Sequence, residues 1–299
     1  MKKTSVILWM VFIYCTLNCQ NNILVFQSDF GLKDGAVSAM KGVSMGVSNQ
    51  LKIFDITHEI PAYNIWEAAY RLEQTINYWP MGTVFVSIVD PGVGTNRKSV
   101  VVKTKNGQFI VTPNNGTLTL INQSIGIAEI REIDETINRL PNSNKSYTFH
   151  GRDVYSYTGA RIAAGIIKFE QVGKLLPNEI VSIPYKKAIF KNNIVEGNIA
   201  ILDIQYGNIW TNITEDVFNQ LNLTYTDKAL VSIYNGTNLV YEGTMPYSAT
   251  FGAVSIGKPV LYLNSLLHVS FGINQGNFSA KFKVNSGANW SVKIKKINA

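Results

Sequence analysis

Cysteine is nearly missing from this chain: two occur in 299 residues, Cys15 and Cys19, both close to the N-terminus. A chain processed ahead of Cys19 keeps at most one thiol, which rules out an internal disulfide, a cysteine nucleophile paired with a base, and a thiolate metal site. Histidine is also scarce. His58, His150 and His268 are far apart in sequence, so no metal site and no bound cofactor is expected. Charged residues make up only 16% of the chain against 46% hydrophobic, too little charge for a disordered protein and enough apolar material for a full core. The net charge of +7 falls to +5 once Lys2 and Lys3 are set aside, leaving 25 basic against 20 acidic residues. The lysines are scattered and their densest cluster, Lys293, Lys295 and Lys296, sits at the tail, so nucleic acid is not an expected partner.

The longest apolar stretch, from Val6 to Tyr14, follows Lys2 and Lys3 and ends after about a dozen residues, short of the about 20 that span a bilayer. This is the layout of a signal peptide over residues 1–19, and it predicts export to a bacterial periplasm. Thr16-Leu17-Asn18 ahead of Cys19 is a loose match to a lipoprotein processing site, so an outward-facing lipid anchor at Cys19 is a second expectation.

Two domains are expected, because single cores stop growing near roughly 250 to 300 residues. Residues 22–180 alternate strand and helix: an apolar run Ile23 to Phe26, a helix Ala36 to Val47, a strand Lys52 to Ile56, a helix opened by Asn64 with Glu67 as a capping box, and the β-branched run Thr83 to Val89. Asn106-Gly107 marks a hairpin, and a longer helix is expected over Val154 to Ile167. This predicts an α/β domain with a central, mostly parallel sheet. The stretch Gly173 to Lys187, with Pro177 and Pro184, reads as the boundary. Residues 188–299 then show short strands at Ile194 to Ile204, Ala229 to Ile233, Lys258 to Leu263, Leu267 to Phe271 and Trp290 to Ile294, the pattern of a smaller all-β, barrel-like domain.

In an open sheet of the first kind, ligands bind outside the carboxyl ends of the strands. Asp29 and Asp90 each follow such a strand, which brings both carboxylates to one rim. In Asp90-Pro91-Gly92-Val93-Gly94-Thr95-Asn96-Arg97 the glycines let the loop return Arg97 toward Asp90, either to build a site or merely to pin the loop. His150, in Thr148-Phe149-His150-Gly151-Arg152-Asp153, suits a loop more than a core and is a natural proton acceptor near neutral pH. The plainer alternative makes Asp153 a helix cap and His150 incidental. His58 and His268 read as structural. In Asp203-Ile204-Gln205-Tyr206-Gly207-Asn208-Ile209-Trp210, a carboxylate, an amide and an indole gather at one strand end, as a ligand subsite or as an ordinary polar turn.

Eight segments in order resemble the family of S-adenosylmethionine hydrolases, the SAM hydroxide adenosyltransferases, relatives of the SAM-dependent chlorinases and fluorinases. They are Ser28-Asp29-Phe30-Gly31-Leu32, Met40-Lys41-Gly42-Val43, Thr57-His58-Glu59-Ile60-Pro61, Val89-Asp90-Pro91-Gly92-Val93-Gly94-Thr95, Thr112-Pro113-Asn114-Asn115-Gly116, Thr148 to Asp153, Asp203 with Gly207-Asn208, and Asn274-Gln275-Gly276-Asn277. The resemblance implies that Asp90, Arg97 and His150 orient and activate a water that attacks S-adenosyl-L-methionine, giving adenosine and methionine. It implies that Asp29 holds the ribose hydroxyls, with Tyr63 beside the ribose and sulfonium. Asp203 and Asn208 match groups that bind the methionine amino and carboxylate ends, Trp210 an aromatic beside them, and Phe251 and Ser265 the adenine-binding part. It also implies a homotrimer whose sites lie between one subunit's N-terminal domain and the next subunit's C-terminal domain.

The halide pocket of the halogenase branch uses a tyrosine, a threonine and a serine where this chain has Asp90, Val93 and Gly151; a carboxylate there repels an anion. The alternatives are a SAM-dependent halogenase-like enzyme and a noncatalytic exported nucleoside-binding protein. Two features depart from the expected pattern. Ser265 is followed by Leu266-Leu267-His268 where relatives usually carry a Gly-Tyr pair, and export takes the chain away from the cytoplasm, where S-adenosylmethionine is made.

Overall fold

A computed structural model describes residues 21–297; the expected leader and Cys19 lie outside the described residues. The first sheet is built from Ile23–Ser28 (β1), Lys52–Thr57 (β2), Val84–Ile88 (β3), Ser99–Thr104 (β4), Phe109–Pro113 (β5), Ile127–Glu132 (β6) and Leu175–Leu176 (β7), in the order β2-β1-β3-β5-β4-β6-β7. Pairing is parallel from β2 through β5 and antiparallel from β5 through β7. Strands β1 and β3 are buried on both faces, which is why they read as continuous apolar runs rather than alternating ones. Alternate side chains enter different cores. Leu24, Phe26, Val84 and Val86 pack with Val37, Met40 and Ala160 on one face, and Val25 and Phe85 with Leu72, Ile76 and Ile121 on the other.

The helices that cover these faces are Ala36–Val47 (α1), Ile65–Ile76 (α2), Thr119–Ser124 (α3) and Tyr157–Ala163 (α4). Asn64 caps α2 by accepting the Glu67 N–H at 3.0 Å. Only half of the expected capping box forms. The Glu67 carboxylate is taken by Arg71 one turn on, and the Asn64 N–H donates to the Pro61 carbonyl instead. The helix expected from Val154 starts earlier, with a wide π turn over Gly151–Ser156 that runs into α4. Such turns recur at functional sites. Asp153 does not cap it; the residue is fully buried and paired with Arg152 at 2.6 Å.

The second sheet contains Ile189–Lys191 (β8), Ile194–Asp203 (β9), Asn208–Thr214 (β10), Lys228–Asn235 (β11), Asn238–Pro246 (β12), Pro259–Leu263 (β13), His268–Ile273 (β14) and Trp290–Lys296 (β15). Its order is β12-β11-β15-β9-β10-β14-β13, with β8 beside β9. A bridge from Tyr247 to Leu261 brings β12 back to β13 and nearly closes a barrel around Phe218, Phe271 and Phe278. Strands β8, β10 and β12 are not among the expected ones: β8 is short, β10 is half polar, and β12 has a single fully buried residue. The two sheets meet where the Trp66 indole donates to the Ala200 carbonyl at 2.7 Å, with Ile183 and Tyr185 of the connecting segment packed alongside.

Candidate active site

Because β1 and β3 are neighbours running in parallel, the residues that follow them emerge at one edge of the sheet. Asp29 and Asp90 therefore line the same cavity, of about 260 Å³, with Tyr63, Val93, His150 and Gly151. This is the rim that the strand pattern predicts. The Asp29 carboxylate accepts the backbone N–H of Tyr63 at 2.9 Å. That bond helps hold Tyr63 at a φ of +67°, a conformation rare for a non-glycine residue, and leaves its ring 71% exposed at the mouth.

Arg97 returns to Asp90 as a fork. Its Nε lies 2.9 Å and 3.0 Å from the two carboxylate oxygens, and its Nη2 lies 2.6 Å from Oδ2. The return is close: a Cβ on Gly92 would stand 3.2 Å from the Arg97 side chain and crowd it. Two further groups complete the arrangement. Tyr155 donates its hydroxyl to Asp90 Oδ2 at 3.2 Å, and Ser99 bridges Tyr155 at 3.1 Å and Arg97 Nη1 at 2.9 Å. Burial works against the Arg97 charge, but the bonds to Asp90 outweigh it and hold the guanidinium above its ordinary range. Burial also pushes the Tyr155 phenol well up, reinforced by the Asp90 charge, so this hydroxyl is a donor at neutral pH.

His150 is 4% exposed and stands at the start of the π turn, so it is a buried residue rather than the loop residue that the sequence suggests. It makes no hydrogen bond to Asp90 or Arg97 and meets Asp90 only across the cavity. Its Nε2 faces Glu135 Oε2 at 3.6 Å, and Arg139 holds the same oxygen at 2.5 Å while its guanidinium covers the Tyr147 ring at 4.5 Å. Glu135 is held below the usual carboxyl range, first by His150 and then, against burial, by Arg139. The other ring nitrogen, Nδ1, is buried with no partner among the described residues. His58, by contrast, is fully engaged between Ser28 at 2.7 Å and Asp55 at 3.1 Å, in keeping with a structural role.

The barrel residues fall into two groups. Asn208 donates to Asp203 Oδ2 at 3.1 Å, yet the two open on different cavities. Asn208 and Phe251 meet over Gly272 and line one of about 480 Å³ with Gln275 and Asn277. Asp203, Trp210 and Ser265 line another of about 560 Å³, which faces Glu67 and Arg71 of α2. Phe251 and Ser265 line different cavities, whereas Asn208 and Trp210, two residues apart, lie on the same face of β10. No barrel residue lines the cavity that holds Asp90 and His150. Sequence reasoning missed Ser99, Tyr155, Glu135 and Arg139; none sits in a motif, and the only hint is that Ser99 and Tyr155 each follow a flagged residue closely. Among the described residues no cluster of His, Cys, Asp and Glu could hold a metal ion.

Comparison with known proteins converges on one group. Residues 24–173 match the SAM hydroxide adenosyltransferase N-terminal domain, and residues 197–291 match the corresponding C-terminal domain. The chain is 37% identical over 216 residues to an (R)-S-adenosyl-L-methionine hydrolase of Methanocaldococcus jannaschii, covering 71% of this chain and 73% of that protein. It is 29% identical over 296 residues to a fluorinase of Actinopolyspora mzabensis, covering 89% and 95%. The crystal structure of an uncharacterized conserved protein from Thermotoga maritima superposes with a TM-score of 0.82 at 34% identity, covering 91% of this chain and 99% of that one.

Proposed function

The chain belongs to the SAM hydroxide adenosyltransferase family of S-adenosyl-L-methionine-processing enzymes, and from that premise we propose that it hydrolyses S-adenosyl-L-methionine to adenosine and L-methionine. Water attacks C5′ in line with the C5′–S bond. The observation that carries this reading is the Asp90 carboxylate, locked by Arg97 and Tyr155 on the wall of the same cavity as Asp29, Tyr63 and His150. A fixed anion there suits an attacking water and disfavours a halide.

The sulfonium leaves as a neutral thioether, so the methionine needs no general acid. What the site supplies is a placed and desolvated nucleophile, and placement alone can remove a large part of the barrier. Asp90 receives hydrogen bonds from Arg97 and Tyr155, which hold its carboxylate in place as the acceptor that orients the water. Oδ1 has the fewer donors of its two oxygens and is the one with capacity left to accept from a water. His150 takes the proton at Nδ1, and Glu135 balances the resulting imidazolium at Nε2. Asp29 binds the ribose hydroxyls, and the Tyr63 ring closes over the ribose and sulfonium.

Since no barrel residue reaches this cavity, a second copy of the chain completes it with Asn208 and Phe251, in a homotrimer. Asp203, Trp210 and Ser265 take the rest of the substrate. We further infer export on the leader at residues 1–19, with Cys19 as a lipid anchor; cell fractionation of the wild type and Cys19→Ser tests this.

The deciding experiment incubates the protein with S-adenosyl-L-methionine in ¹⁸O-water, with and without chloride or fluoride. Adenosine carrying ¹⁸O at its 5′ oxygen is the expected product under all conditions. A 5′-halo-5′-deoxyadenosine, or saturable binding with no product, overturns the reading.

A further inference from the structure

Ser28 closes β1 immediately ahead of Asp29, is fully buried, and lies outside the lining of the reaction cavity. Its Oγ meets Nδ1 of His58 at 2.7 Å, and Nε2 of the same ring meets Oδ1 of Asp55 at 3.1 Å. Oδ2 of Asp55 in turn holds the Lys41 ammonium of α1 at 2.6 Å. A bulge in β2 lies within this row: Phe26 pairs with Asp55 and Gln27 with Thr57, so Ile56 is the extra residue. Bulges re-aim the side chains beside them.

The protons of this row follow from its charged end. Burial works against the Asp55 charge, but the bonds from Lys41 and His58 outweigh it and hold the carboxyl below its ordinary range. Burial pushes the His58 imidazole below its ordinary value, against the pull of Asp55, so the ring is neutral near pH 7 and carries one proton. A carboxylate only accepts, which puts that proton on Nε2 and leaves Nδ1 bare. The Ser28 hydroxyl therefore donates to Nδ1, and its oxygen accepts the Phe30 N–H at 3.3 Å. The His58 carbonyl accepts the Gly31 N–H at 2.7 Å. His58 thus grips the turn from Ser28 to Gly31 on both sides of Asp29, through Ser28 with its ring and through Gly31 with its carbonyl.

Asp29 has few holds of its own. Its Oδ2 accepts the Tyr63 N–H, and its Oδ1 has no partner among the described residues, so the placement of the carboxylate depends on the turn that carries it. A group fixed before binding gives up less freedom when a ligand arrives. Serine, histidine and aspartate are also the set that activates a serine nucleophile, but Ser28 has no exposure and no place in the cavity lining, so substrate does not reach it. We propose that Ser28, His58 and Asp55 form a positioning relay that holds Asp29 for the ribose diol and so sets the preference of this site for ribose over a sugar lacking those hydroxyls. The relay rests on the assignment of Asp29 to the ribose hydroxyls. Its three members act through Asp29 and touch no substrate.

Calorimetric titration of the full chain tests this with adenosine and with 2′,3′-dideoxyadenosine, which keeps the base and lacks both hydroxyls. The wild type is expected to prefer adenosine by about tenfold or more, the scale of hydrogen bonds to a charged group. Ser28→Ala should cut that preference to about threefold or less by weakening adenosine alone; a role confined to stability would weaken both nucleosides alike. Asp29→Ala should abolish the preference, and adding Ser28→Ala to it should weaken adenosine no further, because both changes act on one contact. His58→Asn, which keeps an acceptor at the δ position for Ser28, should retain more of the preference than His58→Leu. Asp55→Ala, at an exposed position, should narrow the preference too and covers the case in which Ser28→Ala does not fold. The relay fails if the wild type does not distinguish the two nucleosides, if Ser28→Ala and Asp55→Ala both keep the full preference, or if the losses from Ser28→Ala and Asp29→Ala add. A preference that survives Asp29→Ala sinks the ribose assignment as well. Hydrolysis is read separately: a wild type that makes no adenosine from S-adenosyl-L-methionine yet shows this narrowing refutes the hydrolysis and keeps the relay.

Discussion

Glu135 stands 3.6 Å from Nε2 of His150 and shares its carboxylate oxygen with Arg139, so the histidine that faces the reaction cavity is backed by a carboxylate outside every motif of the chain. This relationship divides the ring into a supported nitrogen and a free one. Glu135 acts through His150 and is a positioning residue.

Glu135→Gln should lower kcat by roughly 10- to 100-fold, the scale of a misplaced general base, with KM for S-adenosyl-L-methionine little changed. Glu135→Asp should recover part of the loss. Steady-state kinetics of the two variants check this, and unchanged kcat in Glu135→Gln would remove Glu135 from the mechanism.

The same carboxyl carries a pH signature. Its pKa is depressed in the folded state, chiefly by His150, relative to an ordinary value of 4.5. A depressed carboxyl contributes stability that is fully present above the unfolded-state value and is lost as pH falls toward and through the folded one. Melting temperatures measured from pH 6 down to pH 3 should therefore fall more steeply for the wild type than for Glu135→Gln. Parallel curves would count against the pairing.

Asp90→Asn leaves Arg97 buried without its counter-charge; the two side chains are 6% and 11% exposed. Removing one partner of a buried pair destabilises by about 3 to 5 kcal/mol. Turnover should fall by at least about 100-fold, because the nucleophile loses its orienting anion. Chemical denaturation and single-turnover assays report the two effects separately. Tyr155→Phe is the milder companion: it deletes the hydroxyl shared by Asp90 and Ser99, should cost about 1 to 2 kcal/mol of stability, and should lower kcat while the fold persists.

Much of this was legible in the sequence, for identifiable reasons. Strands β1 and β3 announce themselves because burial on both faces demands continuous apolar runs, and the aspartates directly after them inherit a common edge. The Asp90–Arg97 pair is readable because it is local, with glycines that permit the return. Tyr155 and Ser99 reach that pair only once a helix and a strand 56 positions apart are packed together, which no local pattern encodes. Asn208 and Trp210 share a face of β10 by their spacing of two, but which cavity each lines depends on what packs around the strand, and that the spacing does not encode. The burial of His150 follows from a π turn that starts ahead of the expected helix.

Gly151 yields the sharpest test of the proposed preference for water over a halide. In the halogenase pattern a serine stands here, but a Cβ on Gly151 would lie 3.1 Å from the Phe30 ring and 3.2 Å from the Phe149 ring. Those rings already meet edge to face at 5.7 Å and both line the cavity. Gly151→Ser therefore has to push one of them aside, at about 1 to 3 kcal/mol, the usual penalty of overpacking. The added hydroxyl also sits on the same wall as the Asp90 carboxylate, which repels a halide whatever donor is supplied. The variant should melt lower than the wild type, turn over more slowly, and still release only adenosine in molar chloride. Chromatography of its products decides the matter: a chlorinated nucleoside from Gly151→Ser would mean that the carboxylate is not what excludes the anion.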